Sequence, residues 1–212
     1  MKKMLALALI AGCAASANAT VQCWNEIPDA GAFAVNGPMA QDTVGTGSLD
    51  QICGMGDGPD DLVDAYCIYI SDPANFSATT VGGAAFDTQL WLFTESGFGV
   101  TFNDDSQSTT QSTITGQFLP TQPGHYVLVI SRYDQDALGV TGGQIWSDTP
   151  FGIERIPDGP AAASAVFGWG GISSALEEYT INLTGAEHCT VPTPSALALM
   201  GLGGLIAGRR RR

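Results

Sequence analysis

The chain has 212 residues, 44% hydrophobic and 14% charged, with a formal charge of −13 and a sequence pI of about 4.1. All 21 acidic residues fall between Glu26 and Glu187, where Arg132 and Arg155 are the only Lys or Arg, so that stretch carries −19. A body of this charge repels nucleic acid and anionic membrane surfaces and attracts cations, so no nucleic-acid partner is expected.

The first 19 residues, MKKMLALALIAGCAASANA, have two lysines, an apolar run over residues 4–15 and a small-x-small end at Ala17-Asn18-Ala19. That is the layout of a secretory signal peptide, with cleavage expected after Ala19. Ile10-Ala11-Gly12-Cys13 also fits a lipoprotein box with Cys13 as the lipidated residue, and both readings stand. The body is expected to be one domain, residues 20–190.

That body holds Cys23, Cys53, Cys67 and Cys189, an even number in an exported chain, which points to two disulfides. Four cysteines allow three pairings. The expected one is Cys53–Cys67 as a local clasp, with Cys23–Cys189 tying the two ends of the domain. There is no Cys-x-x-Cys and no His/Cys cluster, so a zinc site is not expected.

No long helical periodicity runs through the body. Short apolar stretches predict strands at 65–70, 76–81, 87–93, 112–118, 125–131 and 178–184, separated by Gly, Pro, Asn, Asp and Ser. Tyr126, Leu128 and Ile130 alternate onto one face, as do Tyr179, Ile181 and Leu183. Many short strands with turn residues between them predict an all-β fold, a β-sandwich. Residues 157–165 read as a loop.

Two acidic groups are candidate cation ligands. Asp60, Asp61 and Asp64 precede a predicted strand, and Asn103, Asp104 and Asp105 form a turn after another. Calcium takes six to eight oxygen ligands, which loops supply flexibly. Asp61, Asp64, Asn103, Asp104 and Asp105 are therefore the candidate calcium ligands, against the plain reading that Asn and Asp here close turns through their own backbone. No EF-hand spacing occurs.

An enzyme is not expected. The two histidines, His125 and His188, have no Gly-x-Ser-x-Gly or free cysteine to act with. Paired carboxylates of a hydrolase are the one route left open. Trp91 lies inside a predicted strand and reads as core. Trp146 and Trp169 lie among glycines and are candidate ligand-facing aromatics for a sugar.

The chain closes on VPTPSALALMGLGGLIAGRRRR. The apolar run over 196–208 is short for a membrane span, which needs about 20 residues. Arg209, Arg210, Arg211 and Arg212 would hold that end on the cytoplasmic side, stopping and orienting it. The segment reads as a short transmembrane helix, a marginal anchor that is either retained or removed.

Two resemblances sharpen this picture. Val191-Pro192-Thr193-Pro194-Ser195, then a Gly/Leu/Ala helix, then the arginines, resembles the PEP-CTERM sorting signal of bacterial exoproteins, with Thr193 where the family has Glu. That implies recognition by a membrane-embedded sorting protease, transient anchoring in the inner membrane, and delivery to the cell surface or outside the cell. The stretch from about residue 60 to 132 is similar to the bacterial pre-peptidase C-terminal type of domain. The motif residues are Asp64, Tyr66, Ile68 and Ile70, then Phe76, Ala78 and Thr79. Asp87, Thr88, Leu90, Leu92 and Phe93 follow, then Asn103, Asp104 and Asp105, and last Pro123, Gly124 and Tyr126. That resemblance implies a jelly-roll-like sandwich that binds surfaces or polymers, in a family some of whose members bind calcium. The expectation is an exported protein with a structural or adhesive role in the extracellular matrix or at the cell surface. A carbohydrate-binding module for a matrix polysaccharide is the alternative, and a secreted hydrolase the third.

Overall fold

A computed structural model describes residues 22–171 and 174–190. The expected signal peptide (1–19), the sorting motif Val191 to Ser195 and the four terminal arginines lie outside the described residues. Among the described residues there are thirteen strands, two short 3-10 turns and no α-helix, and no helix is long and apolar enough to cross a membrane.

The strands are β1 (Trp24–Asn25), β2 (Gln41–Asp42), β3 (Gln51–Gly54), β4 (Val63–Ile70), β5 (Ser77–Thr79), β6 (Thr88–Thr94), β7 (Gly99–Asn103), β8 (Thr113–Thr115), β9 (Gly124–Arg132), β10 (Gln135–Leu138), β11 (Gly168–Gly171), β12 (Tyr179–Thr184) and β13 (Ala186–His188). One sheet has the order β1-β3-β12-β5-β8. The other runs β13-β4-β9-β6-β7, with β2 added against β4, and β10 and β11 form a separate two-stranded ribbon. Pairing is antiparallel except for β1 with β3 and β2 with β4. The six sequence-predicted strands all correspond to observed ones, as β4, β5, β6, β8, β9 and β12.

The two sheets face each other across the main core. Ile52, Ala78, Ile114, Ile181 and Leu183 come from the first sheet. Tyr66, Ile68, Ile70, Leu90, Leu92, Leu128 and Ile130 come from the second. The fold is thus a β-sandwich, as its alternating strands predict.

A second core lies on the far face of the second sheet. Ala65, Val129, Trp91 and Phe102 sit in one register row across β4, β9, β6 and β7. Phe33, Trp146 and Val166 from the N-terminal segment and the 139–167 loop region cover them. β6 and β9 are therefore buried on both faces, which explains the uninterrupted apolar runs LWLF and YVLVI. The aromatic packing here is dense. Trp91 stacks on Phe102 at 3.9 Å between ring centroids and meets Trp146 and Trp169 edge-on at 5.4 and 5.6 Å; each such pair contributes about 0.5–1.5 kcal/mol beyond its buried area.

The cysteine pairing differs from expectation. All four cysteines are oxidised, but the bonds are Cys23–Cys53 and Cys67–Cys189, with Cα separations of 5.9 and 5.5 Å. The expected Cys53–Cys67 clasp fails because β3 and β4, adjacent in sequence, belong to opposite sheets. Asn25 lies opposite Cys53 in the parallel β1–β3 pair, which brings Cys23 alongside. His188 lies opposite Ile68 in the β13–β4 pair, which brings Cys189 beside Cys67.

Candidate metal centres at the acidic end

The second sheet places the start of β4, the end of β9, the start of β6 and the end of β7 at one end of the sandwich. Asp64 pairs with Ile130, Ile130 with Leu90, and Leu90 with Asn103. Asp64 and the turn after β7 are therefore three strand spacings apart, about 14 Å. The sequence-predicted acidic groups share one end of the molecule but form two centres, each completed by residues from elsewhere.

At the first centre, Asp104 and Asp105 meet Asp87, and one carboxylate oxygen from each lies within 4.8 Å of the others. Asp104 is buried, and its Oδ1 has no hydrogen-bond partner. Asp87 Oδ1 and the buried Ser106 hydroxyl also lack one. Burial pushes the Asp104 carboxyl up to about 7, with the nearby Asp105, Asp87 and Asp136 carboxylates adding to the rise. Burial likewise raises Asp87. Asn103, expected as a ligand, instead holds the turn: its amide oxygen accepts from Thr113 N–H at 2.8 Å and its amide nitrogen donates to Asp105 C=O at 2.9 Å. Both the turn reading and the acidic-cluster reading thus find residues here, divided between Asn103 and the three aspartates.

At the second centre, Asp64 meets Glu26 and Asp29 with the same 4.8 Å spread of oxygens. Asp64 extends the inward-facing row of Tyr66, Ile68 and Ile70 and is fully buried. The Tyr179 hydroxyl donates to its Oδ2 at 2.5 Å and lies 2.5 Å from the Tyr66 hydroxyl, while Oδ1 has no partner. Burial pushes the Asp64 carboxyl up to about 8 and also raises Glu26. Asp61, expected as a ligand, sits just outside this trio with Oδ2 accepting from Asp57 N–H at 2.9 Å. It lines an adjoining cleft of ≈ 460 Å³ together with Asp29, Asp57, Asp60 and Trp169.

Sequence reasoning missed Glu26, Asp29 and Asp87 as partners in these centres. Glu26 and Asp29 lie in the segment after β1, far along the chain from Asp64, and no local spacing links them. One trace existed in Gly54: a side chain there would collide with the Tyr179 hydroxyl and the Glu26 carboxylate.

The remaining candidates fall elsewhere. Trp146 is 2% exposed, donates its indole N–H to Arg155 C=O at 3.2 Å and packs in the second core, so it does not offer its ring to solvent. It lines a smaller cleft together with Asp104, Asp134, Asp136 and Asp148. Trp169 is half-buried on the wall of the larger cleft, with its indole N–H bonded to Phe33 C=O at 2.8 Å. His125 begins β9 against Tyr69 and His188 ends β13, both toward the opposite end of the strands. Cys67, His125 and Cys189 cluster there, but both sulfurs are held in a disulfide and cannot act as thiolate ligands.

Each centre gathers three carboxylates without a paired cation. The two arginines of the described residues are engaged at Glu177 and Asp158. Hard oxygen donors of this number and charge suit calcium or a similar divalent cation. Comparison with known proteins finds no matching family model, no matching curated protein and no matching solved structure.

Proposed function

We propose that the protein is an exported cell-surface or extracellular-matrix component with a structural or adhesive role, its jelly-roll-like sandwich consolidated by calcium at the acidic end. The observation that carries the calcium part is the Asp87–Asp104–Asp105 centre, where a buried carboxylate oxygen and a buried hydroxyl have no donor or acceptor of their own. A polar atom left this way costs about 1–3 kcal/mol, and more for a charged one. A bound cation removes that cost and the repulsion among the three carboxylates together. Two disulfides support the exported setting, since such bonds persist in oxidising compartments. The likeness of residues 191–212 to a sorting signal supports the destination.

Calcium at about a hundred times its dissociation constant stabilises by about 2.7 kcal/mol per site, a rise of about 5–10 °C in Tm for a domain of this size. The test is thermal unfolding of the oxidised protein in calcium and in chelator. A higher Tm in calcium, with a smaller rise in Asp105→Asn, is the expected outcome; equal Tm values over a broad calcium range contradict the calcium part of the reading.

A further inference from the structure

Glu26 and Asp29 belong to a segment that leaves β1 and crosses the end of the sandwich. Asp64 belongs to β4, and Tyr179 to β12 of the opposite sheet. Three parts of the chain, remote in sequence, therefore converge at one carboxylate. The Glu26 carboxylate is preset by the backbone: Oε1 accepts from Ala30 N–H at 2.7 Å and Oε2 from Met55 N–H at 3.1 Å. Asp29 Oδ1 accepts from Gly31 N–H at 2.9 Å. These bonds orient the two carboxylates while leaving lone pairs free, since each ionised oxygen accepts about two bonds. The third group of the trio is the fully buried one, and its Oδ1 is the atom without a partner.

We propose that Glu26, Asp29 and Asp64 form a second divalent-cation site, calcium by its hard oxygen donors, which pins the N-terminal segment to the start of β4. Calcium binds oxygen at about 2.3–2.6 Å, so oxygens on opposite sides of one ion are about 5 Å apart at most. A trio spread over no more than 4.8 Å fits around a single ion. No arginine does that work: Arg132 pairs with Glu177 at 2.8 Å and Arg155 with Asp158 at 2.5 Å. Tyr179 serves as a positioning residue, because its hydroxyl holds Oδ2 of Asp64 and so sets the plane of the carboxylate. Gly54 keeps the site open by carrying no side chain where the Tyr179 hydroxyl and the Glu26 carboxylate approach. The site uses none of the residues of the Asp87–Asp104–Asp105 centre and stands without it.

The experiment counts calcium ions per chain by native mass spectrometry on the oxidised protein, its Asp29→Asn variant and its Asp105→Asn variant. Asp29 is exposed, so its substitution spares the core. The expected result is that Asp29→Asn and Asp105→Asn each bind one ion fewer than the parent, since each removes a ligand from a different centre. Hydrogen exchange gives the second readout: calcium should slow exchange over residues 24–34 in the parent and in Asp105→Asn, and leave it unchanged in Asp29→Asn. An Asp29→Asn variant that binds as many ions as the parent overturns the inference. Loss of an ion in Asp29→Asn but none in Asp105→Asn keeps this site and instead removes the calcium centre proposed at Asp87, Asp104 and Asp105.

Discussion

Asp64 and Asp104 are carboxyl groups placed where water does not reach, and their environment rather than their identity sets their behaviour. Glu26, Asp29 and Asp61 face Asp64 with negative charge, and Tyr179 donates to it. Asp87, Asp105 and Asp136 face Asp104. Burial acts first in both cases and favours the neutral form. The folded groups sit at about 8 and about 7, against an ordinary carboxylate value of 3.8. The folded chain therefore holds protons that the unfolded chain releases. The stability this contributes is full below about pH 4 and is lost as pH rises through about 7 and 8. In chelator, the urea midpoint should accordingly fall between pH 5 and pH 8, by an amount on the order of a few kcal/mol in stability. A midpoint that climbs over the same interval would show that these carboxyls are ionised in the metal-free fold.

At the scale of elements, strand pairing decides which cysteines meet. β3 and β4 follow one another in the chain but enter different sheets, so Cys53 turns to Cys23 across a parallel pair and Cys67 turns to Cys189 across an antiparallel one. The bonds close loops of very different size, with sequence separations of 30 and 122. Loop-closure entropy predicts about 3.6 kcal/mol for the shorter and about 4.9 kcal/mol for the longer. Replacing Cys67 and Cys189 by alanine should thus cost about 1 kcal/mol more than replacing Cys23 and Cys53, measured by chemical denaturation of the two double variants. The same scale explains β11, whose three glycines in GWGG disfavour a strand. It pairs with β10 because glycine admits close backbone approach: a side chain at Gly171 would strike Asp134 C=O, and one at Gly170 would strike Leu138.

For the molecule as a whole, the distribution of charge matters more than its sum. Aspartates 57, 60, 61, 64, 87, 104 and 105 lie in or beside the segments that end at one pole of the second sheet, and Arg132 at the same pole is held by Glu177. A pole of that kind draws cations and repels acidic polymers. The proposed delivery to the cell surface rests on the chain ends and is tested there. The protein recovered from its native host should have an intact mass that begins at Thr20 and ends near residues 192–195. A mass that retains all four arginines would instead mean a standing anchor and would move the search for partners into the membrane.

How much of this was legible in the sequence follows from which interactions are local. Alternation at Tyr126, Leu128 and Ile130, and at Tyr179, Ile181 and Leu183, marks strands with one inward face, because the pleat has a period of two residues. Pairing of the four cysteines of the body in two disulfides and the strongly acidic charge are likewise matters of composition. Short pieces such as Trp24–Asn25, Gln41–Asp42 and Gly168–Gly171 carry no such period and become strands only because a neighbour offers its edge. Trp146 shows the same limit: its glycine-rich setting suggests exposure, yet Trp91, Phe93 and Phe102 enclose it. The acidic turn at 103–105 and the aspartates before β4 could be read along the chain, but not Asp87 as partner to the one, nor Glu26 and Asp29 as partners to the other. Sequence by itself determined the class of fold, the oxidation of the four cysteines and the acidic charge of the body. Tertiary structure alone decided which cysteines join and which carboxylates share a centre, because sheet membership, not distance along the chain, places those groups within bonding reach.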